Sequence, residues 1–117
     1  MENFNFVFLL RDDNSWNQLF SHIENLKKSP KEIGNITVVV ISTALLSCLQ
    51  CTNLETHKEA ISRLSDEGVQ FFLCINTMSR YGIDEKMLLP EIAVAHEGGL
   101  MKTAKFESMG YHLVTLG

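Results

Sequence analysis

A chain of 117 residues is close to the common size of one domain, and 45% hydrophobic with 9% aromatic content excludes a disordered polymer. A formal net charge of −4 argues against a nucleic-acid groove, and the one basic cluster, Lys27, Lys28 and Lys31, reads as a solvated helix end. No apolar run approaches the roughly 20 residues that span a bilayer, Met1-Glu2-Asn3-Phe4 lacks the pattern of a secretion leader, and three cysteines make a poor disulfide framework. A single domain over 1–117, cytoplasmic, with no membrane and no direct nucleic-acid partner, is the expectation.

Along the chain, residues 4–10 are an apolar run of strand length. Asp12, Asp13, Asn14 and Ser15 then offer helix caps, and Trp16, Leu19, Phe20, Ile23 and Leu26 recur at helical spacing. Pro30 and Gly34 punctuate the turn, and residues 36–41 are β-branched throughout, as buried strands tend to be. A short apolar helix through Ala44, Leu45, Leu46 and Leu49 ends at a break at Thr52-Asn53. Leu54, Lys58, Ile61 and Leu64 mark the next helix, stopped by Gly68. Residues 69–73 read as a third strand, 76–81 as a short helix, 84–88 as one more turn, and 92–95 as a fourth strand. Gly98 and Gly99 open the last helix, with Met101, Ala104 and Ser108 on one side, and residues 111–116 close the sheet.

Alternating strands and helices predict a three-layer α/β/α domain around a mostly parallel sheet of about five strands, flavodoxin-like in appearance. In such sheets chemistry gathers at the carboxyl ends of the strands. Asp12/Asp13, Ser42/Thr43, Cys74 with Asn76, and His96 all fall at such ends.

Cys74 is the foremost candidate. It stands where a strand meets a helix, and backbone N–H groups at a helix start favour the thiolate, the nucleophilic form of cysteine. The alternative is an inert buried cysteine. Asn76 and Thr77 are expected to cap the following helix and to lend N–H groups to an anion. His96-Glu97-Gly98-Gly99 offers a histidine that would tune Cys74 if their strand ends meet, or else stand exposed at the junction with no role, and two glycines that let backbone approach an anion. Cys48-Leu49-Gln50-Cys51 lies too far down its helix for a thioredoxin-type redox pair and lacks further ligands for zinc, so it reads as packing on a shared helix face. Arg80 is expected to face solvent or a neighbouring subunit, and His22, His57 and His112 to be structural or surface residues. No motif calls for a metal or a cofactor.

The stretch Gly68-Val69-Gln70-Phe71-Phe72-Leu73-Cys74-Ile75-Asn76-Thr77-Met78-Ser79-Arg80-Tyr81-Gly82-Ile83 resembles the signature of the DsrE-like family. Leu89-Pro90-Glu91-Ile92 is similar to that family's Leu-Pro-Gly-Val/Ile step, with Glu91 in place of Gly, and Glu107-Ser108-Met109-Gly110-Tyr111 to its closing motif. His96 departs from the small-residue turn of many members. The resemblance implies a sulfur-relay fold of the short, stand-alone form, in which the cysteine matching Cys74 accepts and passes persulfide sulfur. It further implies a homo-oligomer, trimer or hexamer, with sulfur-donor and acceptor proteins as partners. The expected function is a persulfide carrier or sulfurtransferase-type protein acting through Cys74. Ser42, Thr43, Asn76, Thr77, His96, Gly98 and Gly99 are its supporting groups. Two alternatives stand beside it: a non-enzymatic homo-oligomeric binding or assembly module, and a small-anion or nucleotide binder at the strand edge.

Overall fold

The computed structural model describes residues 3–52 and 54–117. Met1, Glu2 and the Asn53 half of the Thr52-Asn53 break lie outside them. Five strands, β1 (Phe4–Leu10), β2 (Ile33–Val40), β3 (Gln70–Cys74), β4 (Ile92–Ala95) and β5 (His112–Leu116), form one sheet in the order β4-β3-β2-β1-β5. Every pairing is parallel. The helices are α1 (Trp16–Leu26), α2 (Glu55–Asp66), α3 (Ile75–Tyr81) and α4 (Gly99–Ser108), with 3-10 turns at Asp13–Ser15, Ser42–Cys48 and Glu85–Met87.

The central strands are buried on both faces, which is why their sequences are apolar without alternation. Val7 to Leu10 and Ile36 to Val40 are buried residue after residue, whereas edge strand β5 buries only Leu116. One face carries the main core. Trp16, Leu19 and Ile23 of α1, Ile61 and Leu64 of α2 and Met78 of α3 pack there against Phe8, Leu10, Val38, Val40, Phe71 and Leu73. Trp16 is fully buried, and its indole Nε1–H donates to the carbonyl of Ala44 at 3.0 Å. Truncating it to alanine would cost about 3–5 kcal/mol.

The other face has a smaller core of Val7, Leu9 and Val39, with Phe106 and Tyr111 against it. Helix α4 alone crosses that face, touching β1, β2, β3 and β5. The asymmetry follows from topology. The chain steps from β1 to β4 in one direction and then returns to pair β5 with β1. A crossover of constant hand puts the returning helix on the opposite face.

Several local expectations change. The apolar segment after β2 winds as a 3-10 turn, and Leu49 leaves it extended with φ −94° and ψ 142°. Cys48 and Cys51 therefore share no helix face: Cys48 is fully buried and Cys51 exposed. On α4, Met101, Ala104 and Ser108 face solvent, and the inward positions are Gly99, Thr103 and Phe106. Of the basic cluster, Lys27 is paired with both Glu24 and Glu67.

Candidate functional site

Strand β3 runs into α3 with no intervening loop. Cys74 is at once the last strand residue, paired in register with Ala95 of β4, and the N-cap of α3, with φ −63° and ψ 126°. Its side chain points to the face that α4 covers. There the N–H of Gly99 donates to Cys74 Sγ at 3.1 Å. Burial alone pushes the thiol up. The backbone N–H groups of Thr77, Gly99 and Asn76, with the Thr77 hydroxyl, outweigh burial and hold Cys74 below the ordinary thiol range. The first turns of two helices thus converge on one sulfur.

The Thr77 hydroxyl is oriented by what it accepts. Ser42 N–H donates to Thr77 Oγ1 at 3.1 Å, which leaves the hydroxyl proton free to point at sulfur. Ser42 has φ +56°, the one non-glycine left-handed residue among those described. That conformation costs about 1–2 kcal/mol for an L-residue, so strain is held at the junction that aligns Thr77.

Glycine is required where α4 begins. A Cβ on Gly99 would lie 2.5 Å from Ile41 Cγ2 and 3.1 Å from Cys74 Cβ. Gly98 has φ +91°, and a Cβ there would meet Asn76 Nδ2 at 3.0 Å. Only bare backbone brings the Gly99 N–H to the sulfur.

Around Cys74 opens a cleft of about 590 Å³. Ile41 and Ser42 line it from just past the end of β2, the residues from Glu97 to Met101 from the turn into α4 and its first residues, and Asn76, Thr77, Arg80 and Tyr81 from α3. The last four form two i,i+4 pairs on one face of α3. Glu97 is bonded to Lys105 at 3.2 Å and lies 3.8 Å from Lys102. Its own backbone N–H first, and Lys105 next, hold its carboxyl below the usual range.

Of the expected site residues, the structure brings together Cys74, Asn76, Thr77, Ser42, Gly98 and Gly99. It leaves out Thr43 and His96, both exposed and neither lining the cleft. The strand ends of β3 and β4 do meet, but Cys74 pairs with Ala95, and His96 falls one residue beyond in the turn. The group that reaches the thiol from β4's side is the Gly99 backbone. Asn76 and Thr77 are not caps, because α3 starts before them at Ile75 and they act from within its first turn.

Asp12 and Asp13 also stand apart from the cleft. Asp12 caps the first 3-10 turn through a 2.8 Å bond from Asn14 N–H. It also fills the gap beside β5, where a Cβ on Gly117 would come within 2.7 Å of Asp12 Cβ. Asp13 accepts from Ser47 Oγ at 3.1 Å, and Ser47 Oγ lies 2.8 Å from His57 Nδ1 in a buried network beneath Trp16 and Phe20. His57 is thus structural as expected, but with partners that its sequence spacing does not reveal. Arg80 is exposed to solvent, as expected, and it also lines the cleft. The signal for it was present in the i,i+4 spacing from Asn76.

A parallel α/β sheet with a cysteine at its carboxyl edge, ringed by backbone donors, defines the class. The chain belongs to the DsrE/DsrF-like family, whose model matches residues 20–116. The fold is similar to that of the protein of unknown function MTH1491 from Methanobacterium thermoautotrophicum. The TM-score is 0.87 at 22% identity, covering 97% of this chain and 100% of that one. It is also similar to the conserved protein of unknown function BT1422 from Bacteroides thetaiotaomicron. There the TM-score is 0.72 at 15% identity, covering 96% and 94% of the two chains. No curated protein matches the chain. No helix among the described residues is long and apolar enough to cross a membrane.

Proposed function

We propose that this protein is a persulfide carrier of sulfurtransferase type in which Cys74 receives and hands on sulfane sulfur. The observation that carries the reading is the ring of N–H donors around a sulfur that lies in an open cleft. The chemistry is redox-neutral. Cys74 thiolate attacks the terminal sulfur of a donor R–S–SH, a new S–S bond forms to Cys74, and the donor S–S bond breaks. The electron pair leaves with R–S⁻, so the products are Cys74–S–SH and R–S⁻. The Cys74 persulfide anion keeps the same N–H partners that favour the thiolate.

Such a step leans little on a general base, because a lowered pKa raises the thiolate fraction of Cys74. Cytoplasmic residence, where thiols stay reduced, suits the role. Leu100 and Met101 at the cleft rim, 70% and 54% exposed, suit docking of a donor or acceptor protein or the next subunit of a trimer or hexamer. The same exposed side chains favour a second reading, a homo-oligomeric assembly module that uses the cleft without sulfur chemistry.

The deciding experiment incubates folded protein with a labelled persulfide donor and locates the label by peptide mass mapping. Label on Cys74 that is lost in Cys74→Ser, with Cys51→Ser unaffected, supports the carrier. Equal retention by Cys74→Ser overturns it in favour of the assembly module.

A further inference from the structure

We infer that the cleft selects a small persulfide bearing a carboxylate, and that Arg80 is the residue that recognises it; this rests on the Cys74 carrier reading. The cleft combines a sulfur nucleophile with one guanidinium. Among the described residues, Arg80 is the only cationic side chain lining it, and it makes no ion pair. The one acidic lining residue, Glu97, is engaged by Lys102 and Lys105 and does not neutralise Arg80.

Position supports the same conclusion. Asn76 and Arg80 are one turn apart on the cleft-facing side of α3, and Asn76 supplies an N–H to the sulfur. An occupant with its terminal sulfur at Cys74 therefore extends along α3 towards Arg80. A planar guanidinium matches a carboxylate with two parallel hydrogen bonds. The volume, about 590 Å³, falls in the range of roughly 300–1,000 Å³ typical of small-molecule sites. Tyr81 and Leu100 add an apolar wall for the carbon chain between the two polar ends. Amino-acid and short-peptide persulfides have this build: sulfur at one end, a short aliphatic stem, a carboxylate at the other.

The test compares N-acetylcysteine persulfide with the persulfide of its methyl ester, donors of nearly equal size and sulfur chemistry that differ in charge. Initial rates of Cys74 loading are measured for wild type, Arg80→Gln and Arg80→Lys. The acid is expected to load wild type about tenfold more efficiently than the ester, the size of one charge-assisted hydrogen bond near solvent. Arg80→Gln brings the ratio of acid to ester loading near one by raising the apparent KM for the acid, and Arg80→Lys restores part of that ratio. Equal rates from both donors, or a preference that survives Arg80→Gln, overturns the inference and leaves the carrier standing. Loading from neither donor overturns the carrier and the inference with it. Alkylation of Cys74 by iodoacetate against iodoacetamide separates these failures, since an anion preference that depends on Arg80 is read there without any sulfur transfer.

Discussion

Cys74 and Cys48 are both buried, both near the carboxyl edge of the sheet, and opposite in character. Cys48 sits on the main core face, with its carbonyl accepting from Leu89 N–H at 2.8 Å. Burial pushes its thiol up, and the Asp13 carboxylate adds to the rise. Cys74 also feels burial, yet backbone and hydroxyl donors more than offset it. Cys74 is also the less deeply buried of the two, and the difference teaches that depth alone does not set the state of a thiol. What decides is whether the groups around the sulfur are donors or an acceptor, and whether a cleft reaches it.

The largest effect that would break this comparison is native-state alkylation. With Cys51 changed to Ser to remove the exposed thiol, iodoacetamide at neutral pH should modify Cys74 on the order of 100-fold faster than Cys48. The buried thiol reacts only through opening of the core. Peptide mapping of a timed quench reads both sites in one sample. Equal rates at the two sites would erase the distinction.

Gly99→Ala sharpens the comparison by attacking the donor side alone. The added Cβ overlaps Ile41 and crowds Cys74, so it should cost about 1–3 kcal/mol of stability. It should also move the Gly99 N–H away and shift the alkylation midpoint of Cys74 upward. Gly110→Ala is the control. That glycine has φ +93° with nothing within 4 Å of a built Cβ, so it should cost about 1 kcal/mol through backbone strain and leave the midpoint unchanged. Denaturant titration and the pH profile of alkylation together separate the two variants.

How far the sequence carried these conclusions can be seen residue by residue. The five strands were legible because central parallel strands are apolar throughout, and β1 and β4 match their expected limits. Cys74 was legible because a cysteine between an apolar strand and a helical pattern can stand only at their junction. His96 stands exposed, one of its two expected readings, and its tuning of Cys74 could not be judged from the sequence because neither strand order nor register is readable there. One residue of offset places Ala95, not His96, beside Cys74. The Gly99 contribution was half visible: two glycines announced a close approach, but a backbone donor has no side chain to name it. The Asp13–Ser47–His57 network was invisible because its members come from three separate segments that meet only once the core has formed.

Thr77→Val gives the smallest effect and the cleanest reading of sign. Valine keeps the shape of threonine but removes the hydroxyl that donates to Cys74 and accepts from Ser42. Alkylation at neutral pH should slow by about three- to tenfold, the net worth of one typical hydrogen bond. Stability should respond to pH as well. Because Cys74 is held below its unfolded value of ~8.5, the unfolded chain binds the proton more tightly between the folded and unfolded values. Stability from this group is therefore full above ~8.5 and is lost as pH falls through the folded value. Cys48, shifted the other way, works in a different window: its burial costs stability only as pH rises past the unfolded value. Urea denaturation of Cys51→Ser protein below ~8.5 thus reports Cys74 with little interference. Its rise of stability with pH should be shallower in Thr77→Val. An unchanged slope with a slowed alkylation would mean that Thr77 governs access to the sulfur and not its charge.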